Sequence, residues 1–545
     1  MAPLQLGLIA AFGVNALALA FNKRVSIASV PDDVWVCFNA SVSGHLRNGE
    51  PMLAPCFARY NGEVPTADLA QCATVQTKGG DLAYASSQFG AYLNSQWGNC
   101  QATGESCTLA QLRPDILTPI LVTCDQGSVP TKYVDVRSVE DVEESLKFAG
   151  DRGLRLVVKN TRHDYSGRSS APDSLALMHN LQPPIELDEG FTPDGCDAST
   201  GPAISFGAGQ QFAGIYDFVQ EHGYRVVGGS SQTVGAAGGW ITGRGHSILT
   251  NELGLGVDNV QQLRAVLPNG ELITANRCQN QDLFSALRGD GGGTFGVITE
   301  MTTHLHPMKV MQFVQMTFTT LGPLAQAKLL DLLVVNCFEW ADEGWRGYIS
   351  IVSLGVTTVF LGTALIRYAE AVESMKPLKK FATTLNLGLV EVQTTIDYRE
   401  DIHTFAVTIN LGYGPGTAWA LSSRIIQRDT FADQTKKLLS SSLHDILNKP
   451  PALLEPSTRI LSIYLPESDQ PGGPGHAYIA PHWRNGVWQA LHFHSYDGTI
   501  TNPNVVTKIA QNAHDVMNPL RELTPESGAY INEADPWEPN RIQSV

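Results

Sequence analysis

The stretch KNTRHDYSGRSS, residues 159–170, follows two β-rich segments and the helix predicted between them. Residues 133–136, YVDV, are typical of a strand, and Ser138 is a candidate N-cap for a helix with one apolar face that ends at Gly153. A second β-rich run covers residues 154–158. The stretch therefore leaves the end of a strand in a β-α-β unit, where ligands usually bind.

Two more glycine-rich loops follow. Residues 226–239 read VVGGSSQTVGAAGG and lead to GRGHS at 243–247, and residues 282–297 read DLFSALRGDGGGTFGV. Glycine also serves turns and tight packing, so one such loop alone is a weak sign of a ligand. The amides and small side chains of the first loop can form an anion-binding nest for a diphosphate. The three loops in this order are a strong indication of a bound cofactor.

The hydrophobic periodicity predicts further elements around these loops. The predicted strands cover residues 203–206, 224–227, 260–267, 271–274 and 296–305. The predicted helices cover residues 212–221 and 281–287. Beyond residue 308, long mixed segments alternate with β-rich runs, which is typical of a sheet covered by helices.

Length, charge and the absence of common motifs limit the classes of function that this chain can have. A chain of 545 residues is too long for one ordinary core, so two intertwined domains are expected. The formal charge of -16 excludes nucleic acid as a partner, because phosphate binding needs clustered Lys and Arg. No GxGxxG fingerprint follows a strand, and the Walker, HExxH, CxxC and GxSxG motifs are absent, so we predict neither a metal site nor a hydrolase nucleophile. A neutral or cationic small molecule fits best as substrate.

The N-terminus is typical of a secretory leader. Residues 1–20 contain an uncharged apolar run that ends in Ala18-Leu19-Ala20, a small-residue cleavage site. A membrane anchor is the alternative, but the run is short for a span and no long stop-transfer cluster follows. We therefore expect a signal peptide and a secreted protein with no membrane partner.

Cysteines are dense in the first quarter of the chain, as in an oxidising compartment. Six cysteines allow 15 pairings, and some of them can remain free. Short loops favour the pairs Cys56–Cys72 and Cys107–Cys124, which leaves Cys37 for Cys100. The sequence Asn39-Ala40-Ser41 is a candidate glycosylation acceptor.

The order of these motifs resembles the berberine bridge enzyme-like branch of the vanillyl-alcohol oxidase and p-cresol methylhydroxylase (PCMH) flavoprotein superfamily, and most closely its fungal extracellular members. The resemblance implies an α+β fold, in which a two-subdomain FAD-binding domain of the PCMH type is closed by an α/β substrate domain built on an antiparallel sheet. It divides the chain into a signal peptide at 1–20, a cysteine-rich segment at 21–125, the FAD-binding domain at 126–307, the substrate domain at 308–505 and a C-terminal segment at 506–545 that returns to the FAD domain.

His163 stands in the position of the family's GHDYxGxS histidine, which implies that it carries FAD on the flavin 8α-methyl group. A neutral imidazole has the free lone pair that this attack requires, whereas a surface loop histidine is the alternative. Arg162 stands where the family usually has glycine. Some members add a second link through cysteine, but this chain has Ser231 there, and a hydroxyl cannot attack as a thiolate does. We therefore predict a single covalent link.

Val234 matches the position that in relatives gates oxygen to the reduced flavin, and valine is the oxidase-like residue. Simple core packing is the alternative for Val234. The segment Tyr530-Ile-Asn532-Glu533-Ala-Asp535 resembles the family's YxNxxD segment, so Tyr530 is the candidate catalytic base, with a buried hydrogen-bonded tyrosine as the alternative. Some relatives have an aromatic residue at the position of Glu533.

His492 and His494 share one face of a strand, either towards the flavin or half in solvent. His246 is expected near the cofactor without a catalytic role. Relatives continue beyond the NEADP segment with a tail that packs on the FAD domain, whereas this chain stops at Val545. We therefore expect a truncated C-terminal segment and weakened flavin binding.

The predicted function is that of a secreted, monomeric FAD-dependent oxidase that passes hydride from a small-molecule alcohol, sugar or secondary-metabolism intermediate to flavin and then to molecular oxygen. A flavin-dependent dehydrogenase, and a flavin- or substrate-binding protein with impaired turnover, are the alternatives. The predicted cofactor-binding residues are His163, Asp164, Tyr165, Gly167, Arg168, Ser169, Gly228, Gly229, Ser231, Val234, Gly235, Gly238, Gly239, Gly245, His246, Asp258, Gly296, Val297 and Asn532.

Overall fold

The computed structural model describes most of the chain. The described residues are 24–64, 67–109, 119–289, 291, 293–318, 322–352, 356–384, 392–399, 416–448, 459–464, 477 and 479–538. The predicted signal peptide at 1–20 lies outside them.

A β-α-β unit forms the first layer, as predicted. The helix Val139–Arg152 begins with a capping box between Ser138 and Asp141 and ends at Gly153, whose positive φ of 64° suits a residue without a β-carbon. Its apolar face packs against a sheet whose central strands are parallel. The order of strands in this sheet is Leu46–Asn48, Lys132–Val136, Ser174–His179 and Arg155–Lys159.

An antiparallel sheet of five strands forms the second subdomain. The strands predicted at 260–267 and 271–274 pair as an antiparallel hairpin at one edge of this sheet. The helices predicted at 212–221 and 281–287 have those bounds in the structure, Phe212–Glu221 and Gln281–Leu287. The strands follow the order Leu272–Asn276, Val260–Val266, Val297–His304, Gly201–Gly207 and Glu186–Phe191.

The strand predicted at 224–227 is shorter in the structure. Only Tyr224–Arg225 pairs, with the neighbouring two-residue strand His306–Pro307. Val226 and Val227 continue into the buried core and then into the glycine loop at 228. Burial, and not sheet pairing, explains their apolar character. A further small pair of parallel strands joins Phe57–Tyr60 and Ile120–Cys124.

A third sheet is antiparallel and has seven strands. One face is covered by helices, with Met316, Ile351 and Trp488 in their shared core. The opposite face presents Phe313, Tyr348 and Phe360 to the core of the second subdomain. The order of strands is Val392–Arg399, Met311–Phe318, Thr357–Thr363, Arg346–Val352, Arg459–Tyr464, Gly486–Asp497 and Thr417–Gln427. The predicted α+β fold is therefore confirmed.

The remaining helices of the described residues pack on these three sheets or cap their loops. The α-helices are Asp32–Ser41, Leu69–Lys78, Leu82–Ser87, Gly239–Thr242, Thr250–Leu253, Gly256–Asn259, Pro323–Asp342, Tyr368–Ser374, Lys376–Thr384, Lys436–Asn448, Pro481–Arg484, Pro503–Val516 and Asn518–Leu523. The short 3-10 helices are Ile27–Ser29, Ala54–Cys56, Ser95–Trp97 and Arg428–Phe431. None of the helices in the described part of the chain is both long and apolar enough to cross a membrane.

Two of the predicted disulfides are confirmed and one is wrong. Cys56 is bonded to Cys72, and Cys107 to Cys124. Cys37 and Cys100 are both free, because Cys37 lies on the exposed face of the helix Asp32–Ser41 whereas Cys100 is buried. A third disulfide, Cys196–Cys278, joins positions 82 residues apart, and short-loop spacing gave no sign of it.

Buried ion pairs fix the C-terminal segment to the seven-stranded sheet. Glu538 accepts from Arg424 at 2.7 Å and from Arg521 at 2.9 Å, and its side chain has no exposed surface. Asp535 accepts from Arg521 at 2.5 Å and from His514 at 2.8 Å. These contacts hold the preceding residues, 530–533, against the loop that carries His163.

Candidate cofactor and substrate site

One cavity of about 650 Å³ lies between the glycine loops and the face of the seven-stranded sheet that is turned away from its helices. Its volume falls in the usual range for small-molecule and cofactor pockets. Sixteen of the predicted site residues line it. They are His163, Asp164, Tyr165, Arg168, Ser169, Gly229, Ser231, Val234, Gly235, Gly238, Gly239, His246, Gly296, Val297, Tyr530 and Asn532.

His163 lies partly buried in the cavity wall beside Thr233. The Thr233 hydroxyl oxygen is 2.7 Å from Nε2 of the imidazole. When Nε2–H donates to that oxygen, the lone pair on Nδ1 is free to act as a nucleophile. Burial, together with the charge of Arg162, lowers the pKa of His163 to about 3. The ring is therefore neutral at physiological pH, which nucleophilic attack requires.

The side chains of Asp164 and Asn532 fix the His163 loop. The Asp164 carboxylate accepts from the backbone amides of Ser166, at 3.0 Å, and Ser169, at 2.6 Å. The Asn532 side-chain amide donates to the His163 carbonyl at 3.0 Å, and its oxygen accepts from the Tyr165 backbone amide at 3.0 Å. Both ends of the loop are thus held by side chains, so the position of the imidazole is defined.

Two buried cations lie under this loop. Arg162 has a φ of +86°, a conformation that favours the glycine expected at this position. Burial lowers the pKa of its guanidinium to about 10. Lys159 donates to the carbonyls of Gln88 at 3.0 Å and Phe89 at 2.7 Å, and burial together with the charge of Arg162 lowers its pKa to about 7. The loop therefore carries a positive electrostatic potential.

The second glycine loop passes very close to Asn160. A β-carbon at Gly235 or Gly238 would lie 2.5 or 2.8 Å from the Asn160 side-chain nitrogen, so neither position accepts a side chain. The Gly235 amide also donates to the Thr161 hydroxyl at 3.1 Å. These contacts dock the loop containing Ser231 and Val234 beside His163 and expose its backbone to the cavity.

Several buried polar atoms around this cavity have no hydrogen-bond partner among the described residues. They are Nε and Nη2 of Arg162, Oγ of Ser169, Oγ of Ser231 and Nδ1 of His179. Burying such groups without partners is costly, so a ligand rich in acceptors fits the wall. A diphosphate with a sugar and a ring system supplies such acceptors, and the residues present therefore fit FAD.

The end of the cavity beneath the seven-stranded sheet holds a different set of polar groups. Gln489 projects from the strand Gly486–Asp497 and its side-chain amide donates to the carboxyl of Glu533. The Tyr348 hydroxyl donates to Ser230 at 2.8 Å. Tyr530 is only 4% exposed and packs edge-on against His246, with ring centroids 5.1 Å apart. A substrate hydroxyl or amine can be bound and deprotonated at this end.

Burial affects the two acidic side chains of this end in the same direction. It raises the pKa of Glu533 from 4.5 to about 8, although the hydrogen bond from Gln489 opposes the shift. It also raises the pKa of Tyr530 well above its ordinary value, and the charge of Glu533 raises it further. Burial lowers the pKa of His246 to about 4, so this ring is neutral.

Four predicted cofactor-binding residues do not line the cavity. A β-carbon at Gly228 would meet the Tyr216 hydroxyl at 2.4 Å, and one at Gly167 would meet the Trp97 ring at 2.5 Å. Gly245 has a φ of +70°, and a β-carbon there would lie 3.1 Å from the Trp240 ring. These glycines serve packing. Asp258 forms a bidentate ion pair with Arg484, at 2.7 and 2.8 Å. It therefore joins two segments that are distant in sequence and has a structural role.

His492 and His494 lie on the wrong face of their strand for a role beside the flavin. The alternate residues of the same strand, Gln489, Leu491 and Phe493, line the cavity. His492 is 1% and His494 6% exposed, so the half-solvated alternative is also wrong. Both rings face the layer of helices on the opposite side of the sheet.

The sequence interpretation missed Thr233, Gln489 and Tyr348 and did not give Glu533 a role. Thr233 lies two residues after Ser231 in the second glycine loop, and this closeness in sequence could have indicated that it contacts the site. Gln489 and Tyr348 lie on strands without a local motif, and only the tertiary structure brings them to the cavity.

Comparison with known proteins agrees with this architecture. A family profile described as an FAD binding domain matches residues 130–276. The FAD-linked oxidoreductase ffsJ of Aspergillus flavipes is 31% identical over 95% of this chain and 88% of its own length. The VAO-type flavoprotein MtVAO713 of Myceliophthora thermophila superposes with a TM-score of 0.79 at 24% identity, covering 95% of this chain and 91% of its own. Glucooligosaccharide oxidase of Acremonium strictum, which carries a 6-S-cysteinyl, 8α-N1-histidyl FAD, superposes with a TM-score of 0.57 at 17% identity, covering 74% and 83%.

Proposed function

This chain belongs to the FAD-linked oxidoreductases. We propose that it falls in the berberine bridge enzyme-like branch of the vanillyl-alcohol oxidase family, whose fold it shares, and that it binds FAD covalently through His163 and oxidises a small molecule. The observation that carries the proposal is that one continuous cavity joins the partly buried His163 imidazole to the polar groups beneath the seven-stranded sheet. FAD, when bound, accepts two electrons from the substrate as hydride.

The residues proposed to hold FAD are those of the three glycine loops. Arg162 and the hydroxyls of Ser169 and Ser231 offer donors to the diphosphate and sugar oxygens. The neutral imidazole of His163 is the nucleophile for the covalent bond. Glucooligosaccharide oxidase carries one bond to histidine and a second to cysteine. Serine at position 231 limits this chain to the histidine bond.

The substrate is proposed to bind between Tyr530 and the sheet residues Tyr348 and Gln489. These side chains suit a hydroxyl or amine, while Leu491 and Phe493 supply apolar contact surface. An alcohol, a sugar or an intermediate of secondary metabolism meets this description. The polar groups orient the reacting atom, and the buried wall excludes water from it.

Molecular oxygen is the proposed final electron acceptor. Val234 lines the cavity beside Ser231, and the family resemblance makes valine the oxidase-like residue at this position. The products of this route are the oxidised substrate and hydrogen peroxide. A dehydrogenase, with a different acceptor, is the second candidate within the same family.

The protein is proposed to act as a secreted monomer. The three disulfides support this location, because such bonds persist in oxidising compartments. Asn39 remains the candidate glycosylation site.

Anaerobic mixing of the purified protein with alcohols, sugars and amines tests the proposal. A substrate should bleach the flavin absorbance, and admission of air should restore it with release of peroxide. Bleaching without reoxidation by air would favour the dehydrogenase. A flavin that no compound bleaches would contradict the oxidoreductase function and favour a binding protein.

A further inference from the structure

We propose that Glu533, positioned by Gln489, is the group that takes the proton from the substrate during oxidation. The inference rests on the proposed function and names the proton acceptor of the same cavity. It replaces Tyr530 in that role.

Glu533 is held in place from both sides of the cavity. Its backbone amide donates to the Tyr530 carbonyl at 2.9 Å, which closes a turn, and the adjacent Asn532 is clamped to the His163 loop. Its carboxyl accepts from the side-chain amide of Gln489, which projects from the strand Gly486–Asp497, next to the edge strand Thr417–Gln427 of the seven-stranded sheet. The carboxyl is therefore fixed where the cofactor loops and the sheet meet, and it lines the cavity.

Glu533 is better suited than either tyrosine to accept a proton. A general base works best when its pKa lies near the operating pH. Burial brings the pKa of Glu533 to about 8, whereas it raises the pKa of Tyr530 and of Tyr348 far above that pH. Arg168 and Arg244 favour the charged form of Tyr530, but their effect is smaller than that of burial. The negative charge of Glu533 itself opposes ionisation of both tyrosines.

The charged and titratable groups that interact with this carboxyl are few among the described residues. Tyr530 stands on the same segment, and Tyr348 on the strand Arg346–Val352, two strands away from that of Gln489. Gln489 is neutral and donates, so it stabilises the carboxylate. The pH dependence of the step should therefore follow Glu533.

The proposed step is balanced. Glu533 begins as a carboxylate, and one of its oxygens takes the proton of the substrate O–H or N–H. The adjacent C–H bond breaks, its electron pair leaves as hydride to the bound FAD, and a C=O or C=N bond forms. The neutral carboxylic acid that results returns its proton to water before the next turnover.

The first test measures whether the folded protein holds a proton on Glu533. Unfolded glutamate releases its proton near pH 4.5, whereas Glu533 in the folded protein keeps it to about pH 8. The folded protein therefore loses stability as pH rises between these values. The melting temperature of wild type should fall relative to E533Q from pH 5 to pH 8. The exposed Glu522 supplies the matched control, E522Q, which should follow wild type.

The second test measures the chemical step with the flavin-loaded enzyme. For a substrate that bleaches wild type, the rate constant of anaerobic flavin reduction should rise with pH around 8 and fall at least about 100-fold in E533Q. E533D should recover part of the rate, and Q489L should shift the pH profile upwards. Y530F should lose less than E533Q. FAD content should be equal in all variants.

The outcomes separate the two proposals. If the flavin of E533Q is bleached at the wild-type rate and with the wild-type pH profile, Glu533 is not the proton acceptor. The oxidoreductase function would still stand. A larger loss in Y530F than in E533Q would return the role to Tyr530. A wild-type flavin that no substrate reduces would overturn the proposed function and this inference with it.

Discussion

The side-chain amide of Asn532 spans the backbone on both sides of Asp164, donating to the carbonyl of His163 at 3.0 Å and accepting from the amide of Tyr165 at 3.0 Å. A residue far along the chain thus completes the loop that carries His163. The separation of 369 positions between Asn532 and His163 means that this contact forms only when the whole fold closes.

Replacing Asn532 with alanine should loosen the His163 loop. Two hydrogen bonds are lost and a partly buried carbonyl and amide remain unpaired, which costs about 1–3 kcal/mol. N532A should show a lower melting temperature and slower covalent attachment of FAD. The exposed Asn504, changed to alanine, is the control and should behave as wild type. Equal rates of attachment in N532A and wild type would show that the clamp does not position His163.

Arg162 is expected to lower the stability of the FAD-free protein and to strengthen FAD binding. R162G removes a buried cation and a strained backbone, so the FAD-free protein should gain about 1–3 kcal/mol. In the H163A background, where FAD is not covalently bound, the same change should weaken FAD binding about tenfold or more, because a charged hydrogen bond is lost. R155A, at an exposed arginine of the preceding strand, is the control. Unchanged FAD affinity in R162G would place the guanidinium away from the diphosphate.

Ser231 is expected to accept a second covalent bond when it becomes cysteine. Its hydroxyl is buried at the cavity wall, and a thiolate is the nucleophile that serine lacks. The double variant H163A/S231C, which lacks the histidine bond, should still retain FAD after denaturation. S230C is the matched control, since Ser230 also lines the cavity but contacts Tyr348. If FAD is retained after denaturation with S230C but not with S231C, Ser230 and not Ser231 occupies the position beside the flavin.

The Cys196–Cys278 disulfide should be the bond that matters most for the second subdomain. It closes a loop of 82 residues, and removing such a bond typically costs about 2–5 kcal/mol. C196S with C278S should melt well below wild type under non-reducing conditions. C37S should melt as wild type does, because Cys37 is free and exposed. Peptide mapping that finds Cys37 in a disulfide would contradict the pairing described above.

Sequence alone predicted the parts of the site that depend on local backbone. The capping box at Ser138 and the glycine at 153 define the first helix, and the loop after it contains His163. Arg162 at a position with a φ of +86° shows why the family uses glycine there. These features depend on neighbours in the chain, so a motif carries them.

Sequence could not predict which residues of a pattern face the cavity. Alternation places His492 and His494 on one face of a strand, but the packing of helices on the sheet decides that the other face, with Gln489, lines the site. In the same way, Gly228 packs on Tyr216, and the acidic side chain of Asp258 pairs with an arginine 226 positions away. Tertiary contacts settle these roles.

Acid precipitation distinguishes covalent attachment of FAD to His163 from reversible binding of FAD. Wild type should remain yellow in the washed pellet, and its His163 peptide should carry the mass of FAD. H163A should release all flavin into the supernatant, while T233V, which removes only the hydroxyl beside Nε2, should retain it at a reduced yield. Flavin released from acid-precipitated wild type, or retained by H163A, would contradict the account.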